Sequence, residues 1–138
     1  MAGVRSEEGA ASPCVLAVDI GGTKMAVGLV SRDGALVTSA RTPTPAVRDA
    51  EAIYAPLHAL VAEVLAEGCR LGSTPDVCGV GCGGPMTRGG EAVSPLNIEG
   101  WRGFPLRSRL RADTGLATFV DNDAKALALG EGWKGAAR

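Results

Sequence analysis

Asp19-Ile20-Gly21-Gly22-Thr23-Lys24 stands between two apolar runs. Adjacent glycines let a backbone take φ > 0 and approach a ligand without Cβ clashes. Successive N–H groups in such a turn can point inward and cradle a phosphate. Thr23 adds a hydroxyl donor, and Asp19, at a strand end, can hold a metal-bound water near the same phosphates. A plain hairpin with a Gly-Gly turn has the same sequence, so this segment alone leaves both readings open. It is neither GxxxxGK(S/T) nor GxGxxG, and it precedes a strand rather than a helix, which disfavours a P-loop or a dinucleotide fold.

In Phe119-Val120-Asp121-Asn122-Asp123-Ala124-Lys125-Ala126 an apolar strand ends and a helix begins at Asx residues, as N-cap chemistry prefers. One of the three Asx residues is needed as a cap. Another carboxylate is then left to face a cleft at the strand's carboxyl end, where α/β sheets bind ligands. A helix N-terminus keeps such an aspartate ionised. That makes it a weak base, which suffices for phosphoryl transfer, where positioning and charge stabilisation dominate. Gly79-Val80-Gly81-Cys82-Gly83-Gly84-Pro85 is a third glycine-rich segment. It reads as a close backbone approach to a ligand or as a crowded turn, and by itself as structural.

The elements that position these residues follow from periodicity. Cys14 to Val18, Met25 to Val30 and Ala35 to Ala40 read as strands joined by tight turns, with Asp33-Gly34 at one tip. Together they form an antiparallel meander whose first strand is buried on both faces. Thr42-Pro43-Thr44-Pro45 reads as a loop. Asp49 to Gly68 reads as a helix with Ile53, Leu57, Leu60, Val61, Val64 and Leu65 on one stripe. His58 lies off that stripe and is expected to face solvent, which removes the single histidine as a catalytic base. Val77 to Gly81 is a strand with Cys78, Val80 and Cys82 on one face if it stays extended. A long glycine-rich loop runs to Trp101, then come a short helix over Pro105 to Asp113, a strand over Ala117 to Val120 and a helix over Asn122 to Trp133. The fold class is α/β, a mixed sheet with an N-terminal three-strand antiparallel meander flanked by helices.

The 138 residues suit one domain with a core. A formal net charge of −1, from 14 basic and 15 acidic residues spread along the chain, shows no basic face for nucleic acid. Arg102, Arg107, Arg109 and Arg111 are the one candidate cluster and read as a solvated helix face. Residues 1–13 read as a flexible tail without the pattern of a secretory signal, and no apolar stretch is expected to cross a bilayer. Cys14, Cys69, Cys78 and Cys82 form no CxxC pair and read as small buried hydrophobes in a reducing cytoplasm, with no metal site.

Four ordered motifs, from about Val15 to Glu131, resemble the ROK family of sugar kinases and sugar-responsive repressors, within the actin, hexokinase and heat-shock-chaperone superfamily. Asp19 to Lys24 match its D-(I/L)-G-G-T-(K/N) at every position. Gly79 to Pro85 resemble G-(I/V)-G-x-P-G-P, with Gly83 where a proline is usual. Asn97-Ile98-Glu99-Gly100-Trp101 resemble N-L-P-G-W, with Glu99 in place of proline. Val120 to Glu131 resemble V-x-N-D-A-N-A-A-A-L-G-E, with Lys125 as the departure.

The resemblance implies an actin-like, ribonuclease H-like N-terminal domain over 14–138, and a cytoplasmic glucokinase-like activity using ATP and Mg²⁺. It implies Asp123 as the base that accepts the proton of a sugar hydroxyl, Asn122 as a sugar ligand, and Gly84 as the backbone point nearest the sugar. Asp19, Gly21, Gly22, Thr23 and Lys24 become the phosphate grip for MgATP. The family's second glycine-rich phosphate segment and its His/Cys zinc motif do not occur within these residues. The expectation is therefore a fragment with half an active site and no structural Zn²⁺ site of its own, too incomplete for useful turnover alone. Sugar and ATP are the expected partners, without nucleic acid or membrane, and a homodimer is possible for the longer protein. The alternatives are a sugar-sensing repressor, disfavoured by the dozen residues before Cys14 and by the intact glycine turn, and an actin-like or chaperone-like ATPase module, disfavoured by Asn122-Asp123 and the Gly100-Trp101 loop.

Overall fold

The computed structural model of the protein describes residues 12–122. In chain order these form β1 (Ser12–Ile20), β2 (Lys24–Ser31), β3 (Leu36–Pro43), α1 (Ala50–Arg70), β4 (Ser73–Cys82), a 3-10 turn (Arg88–Gly90), α2 (Leu106–Thr114) and β5 (Ala117–Asp121). The expected helix from Asn122 to Trp133 lies outside the described residues.

One five-stranded sheet runs in the order β3-β2-β1-β4-β5. β1, β2 and β3 pair antiparallel, whereas β4 pairs parallel to β1 and β5 parallel to β4. The meander is therefore the one read from sequence, and β1 is central, with Cys14 through Val18 all buried. Each parallel connection carries a helix, as a crossover requires. Side chains alternate across the sheet. Cys14, Leu16, Val18 and Ile20, with Met25, Val27 and Leu29 and with Cys78, Val80, Cys82 and Val120, line one face and pack there against both helices.

β3 runs on to Pro43, past the expected end at Ala40, with Pro43 opposite Lys24. It is the edge strand, where a proline's missing N–H leaves no ladder bond broken on the outer side. β4 starts four residues earlier than expected, at Ser73, and a bulge at Asp76 corrects its register on β1 (Cys14 opposite Pro75, Val15 opposite Val77).

α1 is capped by Asp49, whose carboxylate accepts from the Glu51 N–H. Its buried stripe is Ile53, Tyr54, Leu57, Leu60, Val61 and Val64, each large aliphatic contributing about 1.5–3 kcal/mol by leaving water. Leu65 is only partly buried at the margin of the core. By length and composition α1 could cross a bilayer, against the expectation from sequence, but its apolar stripe is spent on the sheet, as in the core helix of a globular domain. At Gly68 an added Cβ would overlap Leu29 Cδ1 and stand 3.0 Å from the Ser73 carbonyl, so glycine lets the helix seat closely on β2.

Tyr54 joins α1 to α2. Its hydroxyl donates to Asp113 Oδ2 (2.5 Å), and His58 Nδ1 lies 2.9 Å from the same oxygen. Arg109 stacks over the Tyr54 ring at 4.5 Å and forks onto both Glu51 oxygens. His58 thus faces solvent as expected, yet it has a partner. Burial, with the nearby Asp113 charge, pushes the Tyr54 hydroxyl far up. Partial burial opposes ionisation of Asp113, but the hydrogen bonds from Tyr54 and His58 prevail and hold its carboxyl below the usual carboxylate range. A depressed native pKa stabilises the fold above the unfolded value, about 3.9, and that contribution is lost as pH falls through the native value. In acid titrations followed by circular dichroism, Asp113→Asn is expected to be less stable at pH 7 and to lack this component of the acid unfolding.

Candidate functional site

Because β1, β4 and β5 are parallel, their carboxyl ends share one edge of the sheet, where α/β sheets bind ligands. Asp19 is paired with Gly81, and Gly81 with Asp121. At about 4.8 Å per strand, the two aspartate backbones lie about 10 Å apart. Val18, Ile20, Val80, Cys82 and Val120 occupy the core face, so Asp19 and Asp121 fall on the face away from the helices. The glycine turn continues from the end of β1, Gly83-Gly84 from the end of β4, and Asn122 from the end of β5. Asp19, Gly21, Gly22, Thr23, Lys24, Gly84 and Asn122 are therefore gathered along one edge. Asp123 lies outside the described residues.

Asp19, Thr23 and Lys24 are exposed, and Gly21 and Gly22 half-buried. The glycines are used differently from the expectation. Neither takes positive φ, which among the described residues belongs to Gly34, Gly72, Gly89, Gly90, Gly103 and Gly115. They are needed for close approach instead. The Gly21 N–H donates to the Lys24 carbonyl at 2.9 Å, and a Cβ on Gly21 would stand 2.9 Å from that oxygen. A Cβ on Gly22 would stand 2.6 Å from Asn97 Nδ2 and 2.7 Å from its Cγ. Asn97 of the third motif thus rests against the first, 75 positions earlier in the chain. The buried Thr44 holds the turn from its other side, its hydroxyl donating to the Gly21 carbonyl (2.7 Å) and its N–H to the Thr23 carbonyl (2.9 Å). Sequence reading missed Thr44 because Thr42-Pro43-Thr44-Pro45 looks like a connector.

A folded loop carries Asn97 to this position. Met86 bridges Val93, and Val93 and Phe104 exchange backbone hydrogen bonds of 2.9 Å. Gly90, at φ 72°, packs so closely on Val120 that any Cβ would overlap it, which fixes the loop on β5. Trp101 is fully buried, stacks on Phe104 with rings parallel at 4.5 Å, and donates from Nε1 to the Ala50 carbonyl (3.2 Å). Gly100 meets the Arg48 carbonyl and Ile53 without room for a Cβ. The loop is thereby pinned to the start of α1, leaving a cleft of about 270 Å³ among Gly22, Thr44, Arg48, Asn97 and Glu99. Around Gly83 there is space within 4 Å for a Cβ, so packing among the described residues does not explain that glycine.

The arginine cluster is more engaged than a solvated face. Arg102 precedes α2 and donates to the Pro95 and Trp101 carbonyls, while Arg107 pairs with Glu91 and Arg109 with Glu51. Cys14, Cys78 and Cys82 are buried as expected, but Cys69 is exposed on α1. Burial pushes the Cys78 and Cys82 thiols up to about 12, Asp19 adding to the effect at Cys82, so both stay protonated and unreactive. Among the described residues no group of three or more His, Cys, Asp or Glu side chains could hold a metal ion.

A family model described as "ROK family" matches residues 15–138. A glucokinase from Streptomyces coelicolor is 36% identical over 116 residues, covering 84% of this chain and 34% of the relative. An N-acetylmannosamine kinase from Shigella flexneri is 37% identical over 119 residues, covering 85% and 38%. The crystal structure of a ROK family glucokinase from Streptomyces griseus in complex with glucose and AMPPNP superposes with a TM-score of 0.68 at 34% identity, over 91% of this chain and 38% of that one. The chain thus spans little more than a third of the relatives it matches.

The two turn glycines differ in what opposes them. Gly21→Ala drives a Cβ against a backbone carbonyl and is expected to destabilise by about 1–3 kcal/mol. Gly22→Ala meets only the movable Asn97 side chain and is expected to stay below about 1 kcal/mol. The double variant Gly22→Ala with Asn97→Ala is expected to recover part of that loss, a coupling of about 0.5 kcal/mol or more in urea unfolding.

Proposed function

The chain belongs to the ROK family, and on that premise we propose that the protein to which it belongs transfers the γ-phosphoryl group of ATP to a hydroxyl of a hexose-type sugar. The observation that supports the reading is the row Asp19–Gly81–Asp121, from which the glycine turn, Gly83-Gly84 and Asn122 leave at one sheet edge. The relatives named glucokinase and N-acetylmannosamine kinase, and the glucokinase solved with glucose and AMPPNP, support the substrate classes.

In this reading the turn grips donor phosphates through the Gly22 and Thr23 backbone N–H groups and the Thr23 hydroxyl, and Lys24 adds positive charge. Asn122 and the Gly84 backbone hold the sugar so that one hydroxyl lies in line with the γ-phosphorus. As its oxygen bonds to phosphorus, the bond to the bridging oxygen of ADP breaks and Asp123 accepts the hydroxyl proton. Asp19 is an exposed hard-oxygen donor at a strand end. That fits Mg²⁺ arriving with the nucleotide and held through water. When bound, the ion neutralises charge on the β- and γ-phosphates.

The test is ATP-dependent phosphorylation of a panel of hexoses and amino sugars by the intact protein. Asp123→Asn is expected to lower kcat by about 10²–10⁴-fold with sugar binding retained in calorimetry. Full activity in that variant refutes the role of Asp123. No turnover of any sugar by the unaltered protein refutes the kinase reading.

A further inference from the structure

Thr44 is buried, lies outside every motif of the sequence, and makes both of its polar contacts to the glycine turn. The C=O and N–H of one trans peptide unit point in opposite directions. Holding the Gly21 carbonyl therefore sets the direction of the Gly22 N–H. The Thr44 hydroxyl takes that carbonyl at 2.7 Å, which turns the Gly22 N–H away from Thr44. Thr44 N–H fixes the Thr23–Lys24 peptide in the same way at 2.9 Å. Among the described residues neither the Gly22 nor the Thr23 N–H donates to another loop or cap group. The Gly21 N–H to Lys24 carbonyl bond closes the turn, and the Thr44 hydroxyl adds the hold on the Gly21 carbonyl that directs the Gly22 amide.

We infer that Thr44 is a positioning residue of the phosphate grip, its hydroxyl orienting the Gly22 N–H toward a phosphate oxygen of the phosphoryl donor. The inference rests on the kinase reading above. It assigns Thr44 no contact with the reacting atoms.

The experiment uses the intact protein, with MgATP as the donor and the best sugar of the panel. Thr44→Val keeps the side-chain shape and the backbone N–H and removes the hydroxyl, whereas Thr44→Ser keeps the hydroxyl. Thr44→Val is expected to raise the KM for MgATP about five- to tenfold, the size of one net hydrogen bond, with the sugar KM changed less than twofold. Thr44→Ser is expected to restore the KM for MgATP. Thermal melts of all three proteins accompany the kinetics. If Thr44→Val melts lower but its KM for MgATP is unchanged, or if both KM values rise together, Thr44 is a structural residue and the inference is wrong while the kinase reading stands. If the unaltered protein neither binds nor uses MgATP, both fail.

Discussion

In-register parallel pairing of β1, β4 and β5 is the constraint from which the rest of the site follows. Parallel strands bring equivalent ends together, and the pairing of Asp19 with Gly81 and of Gly81 with Asp121 aligns three chain exits on one edge. A shift of one residue in either pairing would turn its strand's apolar set away from the helices. Val18, Val80 and Val120 on the core face therefore enforce the same register that sets Asp19 and Asp121 in one row across the sheet. Core packing and site geometry are one requirement.

The loop between β4 and α2 is the second structural layer of the site. It is long, yet it is held at both sides of the domain: Gly90 against Val120, and Trp101 against Phe104 and the Ala50 carbonyl. A buried indole needs a partner for its N–H, and the first carbonyl of α1 supplies one. This pairing joins the start of α1 to the loop and seats Asn97 on the glycine turn. The turn is then enclosed from two directions, by Asn97 from this loop and by Thr44 from the connector after β3. Its backbone conformation is set by neighbours, with no strained φ of its own.

The α1–α2 junction stands apart from the site and has a different character. Glu51, Tyr54, Arg109, Asp113 and His58 form a continuous set of charge-assisted contacts over the rim of the aromatic cluster. Their value lies in fixing where α2 packs against α1, since exposed pairs of this kind contribute little each. They also engage Arg109, one of the four arginines that charge alone leaves on a solvated face.

Much of this was legible without coordinates. Strand and helix identities follow from period-2 and period-3.6 patterning, because burial of one face selects the residues on it. The meander follows from short turns, and the family from four ordered motifs that Asp19, Gly84, Asn97 and Asn122 anchor. Element ends were less legible at Pro43 and Ser73, since a proline's tolerance depends on whether its strand is at an edge, which is a property of the sheet. The reason for Gly21 and Gly22 was also hidden. A glycine pair announces freedom of φ and freedom of approach alike, and only the Lys24 carbonyl beside Gly21 and Asn97 beside Gly22 select approach. Thr44 carried no signal at all, because a hydroxyl that holds a carbonyl 23 positions away is determined by how the connector folds over the turn. The sequence by itself determined the elements, the family and the residue types at the sheet edge, because those are local or patterned. Tertiary structure alone decided which distant side chains enclose the glycine turn, because contacts between loops depend on the sheet register and the packed core that hold those loops in place.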